Sequence, residues 1–480
     1  MLYSLKPDCY FRQYGDIGYI SRPIVGMEEV VDENGAIFLS QLQYSPLSID
    51  ELSERVNAVF GDVDFNDIKS DAESFFTRLV DDGFLNCGAD VESFSNDGFD
   101  YSTLKGRLGY TQLNFRPEES SEAFLINYSK DHPFLQSFHV EITSKCNERC
   151  IHCYIPHEQK NTDIEYDMMI AALDQCKQLN VMTIIFSGGE PMLHPYFCDF
   201  LKYAKDLDFN VTVLTNLTRL TDEIIEALKS KHVSCVNVSL YSLEPQIHDS
   251  ITKLKGSCEL TKQNILKLID NNVAVQINCP VMKQNKDSFY HVINWGQDHK
   301  CSVVTDYVIM AKSDRSTDNL ENRLSKEDLR FVIEKIAENN VAFKASLKTE
   351  SFAAGGKTEN AVADERVCGV GLSNMCMTSN GNVYPCAGWQ QFVCGNIKES
   401  SLVDIWNNSP NMNYLRKLRL GDFEKCVGCP DFKFCLMCVC RNYNESESAS
   451  MFDIPQITCD AANVHHSVVK KYKNIEKANE

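Results

Sequence analysis

From about residue 133 to 340, short β-branched runs alternate with longer amphipathic segments, and no other feature limits the fold as much. Strands are expected at 135–143, 181–187, 211–216, 233–241, 273–282 and 301–310. Between them, Phe197, Phe200, Leu201, Ala204 and Leu207 share one helical stripe, and Leu260, Ile265, Leu268 and Ile269 share another. Repeated βα units build a parallel sheet covered by helices, an α/β fold. Six in series predict an incomplete barrel, whose functional groups collect in the loops after the C-terminal ends of the strands.

Four polar motifs fall at those strand ends. "CNERCIHC" (146–153) follows the first, "SGGEP" (187–191) the second, "TN" (215–216) ends the third and "SLYS" (239–242) the fourth. Cys146, Cys150 and Cys153 offer three thiolates, one short of closing a four-iron cubane, so one iron stays open to an exogenous ligand. The same spacing alone suits a zinc knuckle, but a Gly-Gly-Glu turn one βα unit downstream argues against it.

These motifs resemble the radical S-adenosylmethionine (SAM) superfamily, in which the open iron is chelated by the amino and carboxylate groups of SAM. The resemblance implies a partial (β/α)6 TIM-type barrel over 133–345. It maps the turn that receives the SAM ammonium onto Gly188, Gly189 and Glu190, with polar contacts to ribose and methionyl carboxylate from Asn216 and Ser239. His152 takes the place of an aromatic that covers the adenine, packing on the cluster being the alternative. Tyr241 stands where the family commonly has Asp.

Twenty-one cysteines are far more than a cytosolic chain needs for packing, and disulfides are rare in that compartment. Eight are scattered singly (Cys9, Cys87, Cys176, Cys198, Cys235, Cys258, Cys279 and Cys301) and are assigned to packing, while ten fall between Cys368 and Cys459. That region, with "GNVYPC" and "CVGCPDFKFCLMCVC", resembles the SPASM extension of radical SAM enzymes. By that resemblance Cys426, Cys429, Cys435 and Cys459 hold one auxiliary cluster. Cys368, Cys386 and Cys438 hold a second, with Cys376 the candidate fourth ligand and Cys440 competing with Cys438. Cys394 is read as structural, and a zinc ribbon, needing four ligands, is the lesser reading. The cofactors implied are SAM and three [4Fe-4S] clusters.

Residues 1–87 read as a third unit, with extended segments near 9–13 and 17–23 and helices near 34–43, 49–60 and 65–82. Ser48 and Glu51 have capping-box spacing, and Leu52, Val56 and Val59 with Ile68, Phe75 and Leu79 are expected to close a small core. The layout resembles winged-helix-like domains that bind leader segments of ribosomally made peptides, with the leader added as a strand at the edge near 17–23. Residues 88–132 read as a linker, 366–462 as the SPASM domain and 463–480 as a tail.

A formal charge of −20 and five acidic residues against two basic ones on the third helix oppose nucleic-acid binding. No apolar stretch is long enough for a membrane span, and the start lacks a signal-peptide pattern, so a cytoplasmic protein is expected. Together the resemblances imply an oxidoreductase that generates a 5′-deoxyadenosyl radical and oxidatively cross-links a precursor peptide carrying a leader, a cysteine thioether being the leading product. A flavodoxin or ferredoxin would reduce it. The rivals are an anaerobic sulfatase-maturing, formylglycine-generating enzyme and a non-catalytic iron–sulfur carrier.

Overall fold

The computed structural model describes residues 1–42, 44–61, 63–94, 99–101, 121–230, 232–349 and 362–477. Much of the expected linker therefore lies outside the described residues.

At the N-terminus β1 (Leu2–Leu5) lies between β5 (Leu47–Ser48) and β6 (Leu85–Gly88). A second antiparallel sheet runs β2 (Tyr10–Tyr14), β3 (Ile17–Arg22), β4 (Met27–Val31). Three helices complete the unit: α1 (Glu33–Gln41) packs on β3, while α2 (Ile49–Phe60) and α3 (Phe65–Asp81) pack on each other and on β5 and β6. The Ser48–Glu51 capping box opens α2. Leu52, Val56, Ile68, Ala72, Phe76 and Leu79 close the core. Two expectations need correction. Val59 is 54% exposed and Phe76, not Phe75, takes the fully buried place, because the stripe on α3 advances through Ala72. Residues 17–22 form the central strand, so their backbone groups are spent on both neighbours and the sheet edges are β2 and β4.

The six expected barrel strands form in order: β7 (Ser137–Thr143), β8 (Thr183–Gly188), β9 (Asn210–Thr215), β10 (Val233–Ser239), β11 (Val275–Asn278) and β12 (Ser302–Val304). All pair in parallel, each with its sequence neighbour. β11 and β12 are shorter than expected; Pro280 has no N–H to continue the ladder. The sheet does not close. β7 pairs instead with β13 (Asn374–Thr378), and β14 (Asn382–Tyr384) and β15 (Gly395–Asn396) extend it to nine strands. Period-two alternation sends Phe138, Val140, Ile142, Ile184, Phe186, Val211, Val213, Val236 and Val238 into the core beneath the helices. His139, Glu141, Ser187 and Asn237 alternate with them and line the opposite, polar face.

Two segments expected to be loose are packed. Tyr101 is buried in the main core and its hydroxyl donates to the Val273 carbonyl, while α4 (Ser121–Asp131) packs on β4. The terminal helix Gln456–Lys477 begins before Cys459 and runs on past 463 against helix Lys326–Asn339. The N-terminal unit is fastened through Arg12, which donates to Val181 O and to Asp208, whose carboxylate also accepts from Tyr44 at 2.8 Å. Val181 and Asp208 precede β8 and β9, so this contact is at the end of the barrel opposite the cysteine loop. Among the described residues no helix is long and apolar enough to cross a membrane.

Candidate functional site

The cysteine loop leaves β7 and is held on both sides by backbone. Arg149 N and Ile151 N donate to Thr252 O and Ile251 O at 2.9 and 3.0 Å, and Ser144 N donates to Thr162 O at 2.8 Å. The glycine turn lies directly under its start: Gly189 N donates to Thr143 O and Glu190 N to Lys145 O, each at 2.8 Å. A Cβ on Gly188 would stand 1.9 Å from Thr143 O, and one on Gly189 would stand 2.1 Å from Lys145 O. Gly188 also has φ +126°. The two glycines are therefore needed so that the turn can touch the backbone that carries Cys146.

The thiols are partly buried, and burial pushes Cys146 up to about 11. Glu148 N donates to Cys146 Sγ at 3.4 Å, an N–H···S bond that favours a ligating thiolate. Cys150 Sγ donates to Glu148 Oε2 at 3.3 Å, while Glu148 Oε1 is buried with no partner among the described residues. Three thiols without a fourth, beside an orphaned carboxylate oxygen, fit a cluster whose remaining ligand brings its own N–H donors.

Glu190 is fully buried and already engaged. Oε1 accepts from Thr215 Oγ1 at 2.7 Å and Met192 N at 3.1 Å, and Oε2 accepts from Asn216 N at 2.8 Å. Burial still raises its carboxyl to about 7. The side chain thus ties the glycine turn to the end of β9, a job that the motif alone did not reveal. Asn216 Nδ2 reaches Asn147 Oδ1 at 3.1 Å and Cys146 Sγ at 3.9 Å, linking β9 to the cysteine loop. Ser239 and His152 meet on Tyr241: its side chain hydrogen-bonds Ser239, and the His152 ring lies edge-on at 4.9 Å. Burial holds His152 neutral, at about 4. Glu190→Ala should orphan two backbone N–H groups and cost about 2–3 kcal/mol as well as weakening SAM binding, with Glu190→Gln intermediate. Thermal unfolding and equilibrium dialysis with SAM check this; wild-type values in both would refute it.

In the C-terminal region the Cys440 thiol hydrogen-bonds both Cys386 and Cys438, and Cys368 stands beside the same pair. The bond from Cys440 holds Cys438 low, at about 6, against burial. Cys438 Sγ also caps helix Val439–Glu445, accepting from Arg441 N at 3.4 Å. Cys376 lies on β13; burial first, then the Glu141 charge ahead of Cys386, raises its thiol. The fold so sets Cys440 between Cys386 and Cys438, with Cys368 beside that pair and Cys376 beside Cys386. Cys426, Cys429 and Cys435 follow one another in tight turns, and Cys459 lies exposed beside Cys429. Cys394 is buried in the main core, and its carbonyl accepts from the Ser409 hydroxyl at 2.7 Å.

Glu141, Tyr154 and Gln390 escaped the motif reading. Glu141 is 3% exposed on the inner face of β7, and its Oε1 accepts from Tyr154 Oη at 2.6 Å and Gln390 Nε2 at 2.9 Å. A glutamate inside the apolar run "FHVEIT" was the available signal. Burial pushes its carboxyl up to about 7, against both hydrogen bonds. The folded chain then keeps a proton that the unfolded chain has lost, so stability present below the ordinary carboxylate pKa is lost as pH rises through about 7. Between about pH 5 and about pH 8 wild type should lose up to ~3 kcal/mol more than Glu141→Gln in urea unfolding.

Comparison with known proteins gives the same two parts. Residues 140–296 match the radical SAM superfamily and residues 368–430 match SPASM, an iron–sulfur cluster-binding domain. The chain is 27% identical over 328 residues to an AdoMet-dependent heme synthase of Methanosarcina barkeri, covering 63% of this chain and 90% of that one. It is 28% identical over 315 residues to the antilisterial bacteriocin subtilosin biosynthesis protein AlbA of Bacillus subtilis, covering 64% and 68%. The fold superposes on Streptococcus suis SuiB bound to its precursor peptide SuiA with TM-score 0.63 and 17% identity, over 95% of this chain and 99% of that one.

Proposed function

We propose that this chain, a radical SAM enzyme with a SPASM iron–sulfur domain, oxidatively cross-links a ribosomally made precursor peptide. The observation that carries the reading is an N-terminal sheet-and-helix unit, unneeded for SAM chemistry itself, built onto the barrel through buried Arg12. The bacteriocin-biosynthesis relative supports it, as does the peptide-bound fold neighbour, whose superposition spans 95% of this chain.

SAM and iron–sulfur clusters are the cofactors, and three clusters are proposed: one on Cys146, Cys150 and Cys153, one on Cys368, Cys386, Cys438 and Cys440, and one on Cys426, Cys429, Cys435 and Cys459. When bound, they supply a carbon-centred radical that takes a hydrogen atom from the peptide and an acceptor for the electron released on bond formation. The chain's own residues position and shield. Gly188 and Gly189 let the turn present its carbonyls beside the thiols, Glu190 fixes that turn to β9, and Asn216 orients the loop. Tyr241 and His152 form an apolar wall that keeps water from the radical. The polar inner face of the open sheet receives the core peptide. The leader docks on the N-terminal unit, whose β2 side is committed to the barrel through Arg12 and Gln13 O, which accepts from Asn180 Nδ2 at 3.4 Å, and whose β4 already accepts at Glu28 O from the Ser121 hydroxyl of α4 at 3.3 Å. Beside β4, Arg78 of α3 bonds Glu29, and a shallow depression of about 490 Å³ follows α3 past Ser70, Ser74 and Thr77. Tethering there raises the local concentration of the core. A thioether from a peptide cysteine is the proposed product.

Reduced, reconstituted enzyme should be given SAM and each peptide encoded by the short reading frames beside its gene. One peptide should emerge lighter by two hydrogen atoms, with 5′-deoxyadenosine. SAM cleavage without change in any of these peptides, together with turnover of a sulfatase-type peptide or an iron coproporphyrin, would replace the reading.

A further inference from the structure

Glu141 joins three parts of the chain that are distant in sequence. It lies on the inner face of β7 five residues before Cys146; Tyr154, which donates to it, directly follows Cys153; Gln390, its other donor, lies four residues after Cys386. The carboxylate therefore sits between the loop assigned to SAM and the thiols assigned to an auxiliary cluster. Both donors bind Oε1, at 2.6 and 2.9 Å, and Oε2 accepts no hydrogen bond from the described residues. Oε2 is not among the fully enclosed, unpartnered side-chain atoms of the described residues, so it stays reachable for a donor that enters from the open face of the sheet. Neighbouring inner-face groups do not serve: His139 is bonded to Ser187. Among the described residues the ionisable groups that face Glu141 from packed elements are Tyr154, Cys376 and Tyr384, each raised first by burial, and none of them is a cation.

We propose that Glu141, in its ionised form, binds through Oε2 the S–H, N–H or O–H donor of the peptide residue that becomes bonded to the substrate carbon, holding it between the cysteine loop and the thiols beside Cys386. Tyr154 and Gln390 act as positioning residues: they take one oxygen and so aim the other. A peptide side chain held there would lie between the loop that would hold the SAM cluster and the thiols that would hold an auxiliary cluster. This rests on the peptide-modifying reading above, and it adds that the acceptor residue of the peptide is recognised by a carboxylate of β7.

The test uses full-length, reconstituted enzyme, SAM and the neighbouring-gene peptide that wild type modifies. In Glu141→Leu, 5′-deoxyadenosine formation should continue while cross-linked peptide per deoxyadenosine falls at least about tenfold, with a raised KM for the peptide. Glu141→Gln, which keeps an acceptor oxygen, should recover most of that coupling. Gln390→Leu should loosen coupling less, because Tyr154 still holds Oε1. Wild-type coupling in Glu141→Leu overturns the proposal. Loss of iron and visible cluster absorbance in both Glu141 variants also overturns it, assigning the residue to holding barrel and C-terminal region together. If wild type itself modifies no peptide while cleaving SAM, the peptide reading fails first, a result distinct from either.

Discussion

Gly189→Ala should remove SAM cleavage to below about one-hundredth of the wild-type rate, because a misplaced reacting group costs that much even when displaced by about 1 Å. Its Cβ would meet Lys145 O at 2.1 Å and the Lys145 carbonyl carbon at 2.5 Å, both backbone atoms with no rotamer to yield. The cysteine loop must move or the turn must break its bonds to Thr143 O and Lys145 O. Gly188→Ala should do the same, with the added strain of a φ of +126°. Iron held by the C-terminal cysteines should survive, so cluster absorbance falls in part while deoxyadenosine formation disappears. Wild-type cleavage in Gly189→Ala would mean that the turn does not carry the cofactor site.

Replacing Cys146, Cys150 and Cys153 together with alanine should abolish SAM cleavage outright and lower iron from about twelve to about eight per chain. No other described thiol stands in that loop to substitute. Iron analysis with electron paramagnetic resonance reads both numbers. About four irons in wild type, with zinc bound, would refute the two auxiliary clusters while leaving the loop assignment standing.

Period gave the strands and spacing gave the loop. The valines and phenylalanines of β7 to β10 recur at alternate positions apart from a register shift between Val233 and Cys235, the positions between them being mostly polar, and a period of two leaves one face for the core. The cysteine loop and glycine turn are local in sequence, so their chemistry could be read without knowing what they touch. Errors arose where a neighbour decides. Residues 17–22 look the same as an edge or a central strand until β4 is seen to pair with them. Val59 and Phe75 fit a helical stripe as well as Phe76 does, and only the direction from which the sheet packs chooses among them.

The same division runs through the site. Sequence by itself determined the parallel α/β barrel, the three-thiol loop, its Gly-Gly-Glu partner and the cysteine-rich C-terminal region, since each is set by spacing along a few residues. Only tertiary structure decided that Glu190 braces β9, that Cys440 joins Cys386 and Cys438, and that Glu141 meets Tyr154 and Gln390. The longest of these contacts, from Glu141 to Gln390, bridges 249 residues and follows from how β13 adds to β7. A buried polar group must find a partner somewhere, but the chain's order does not say where.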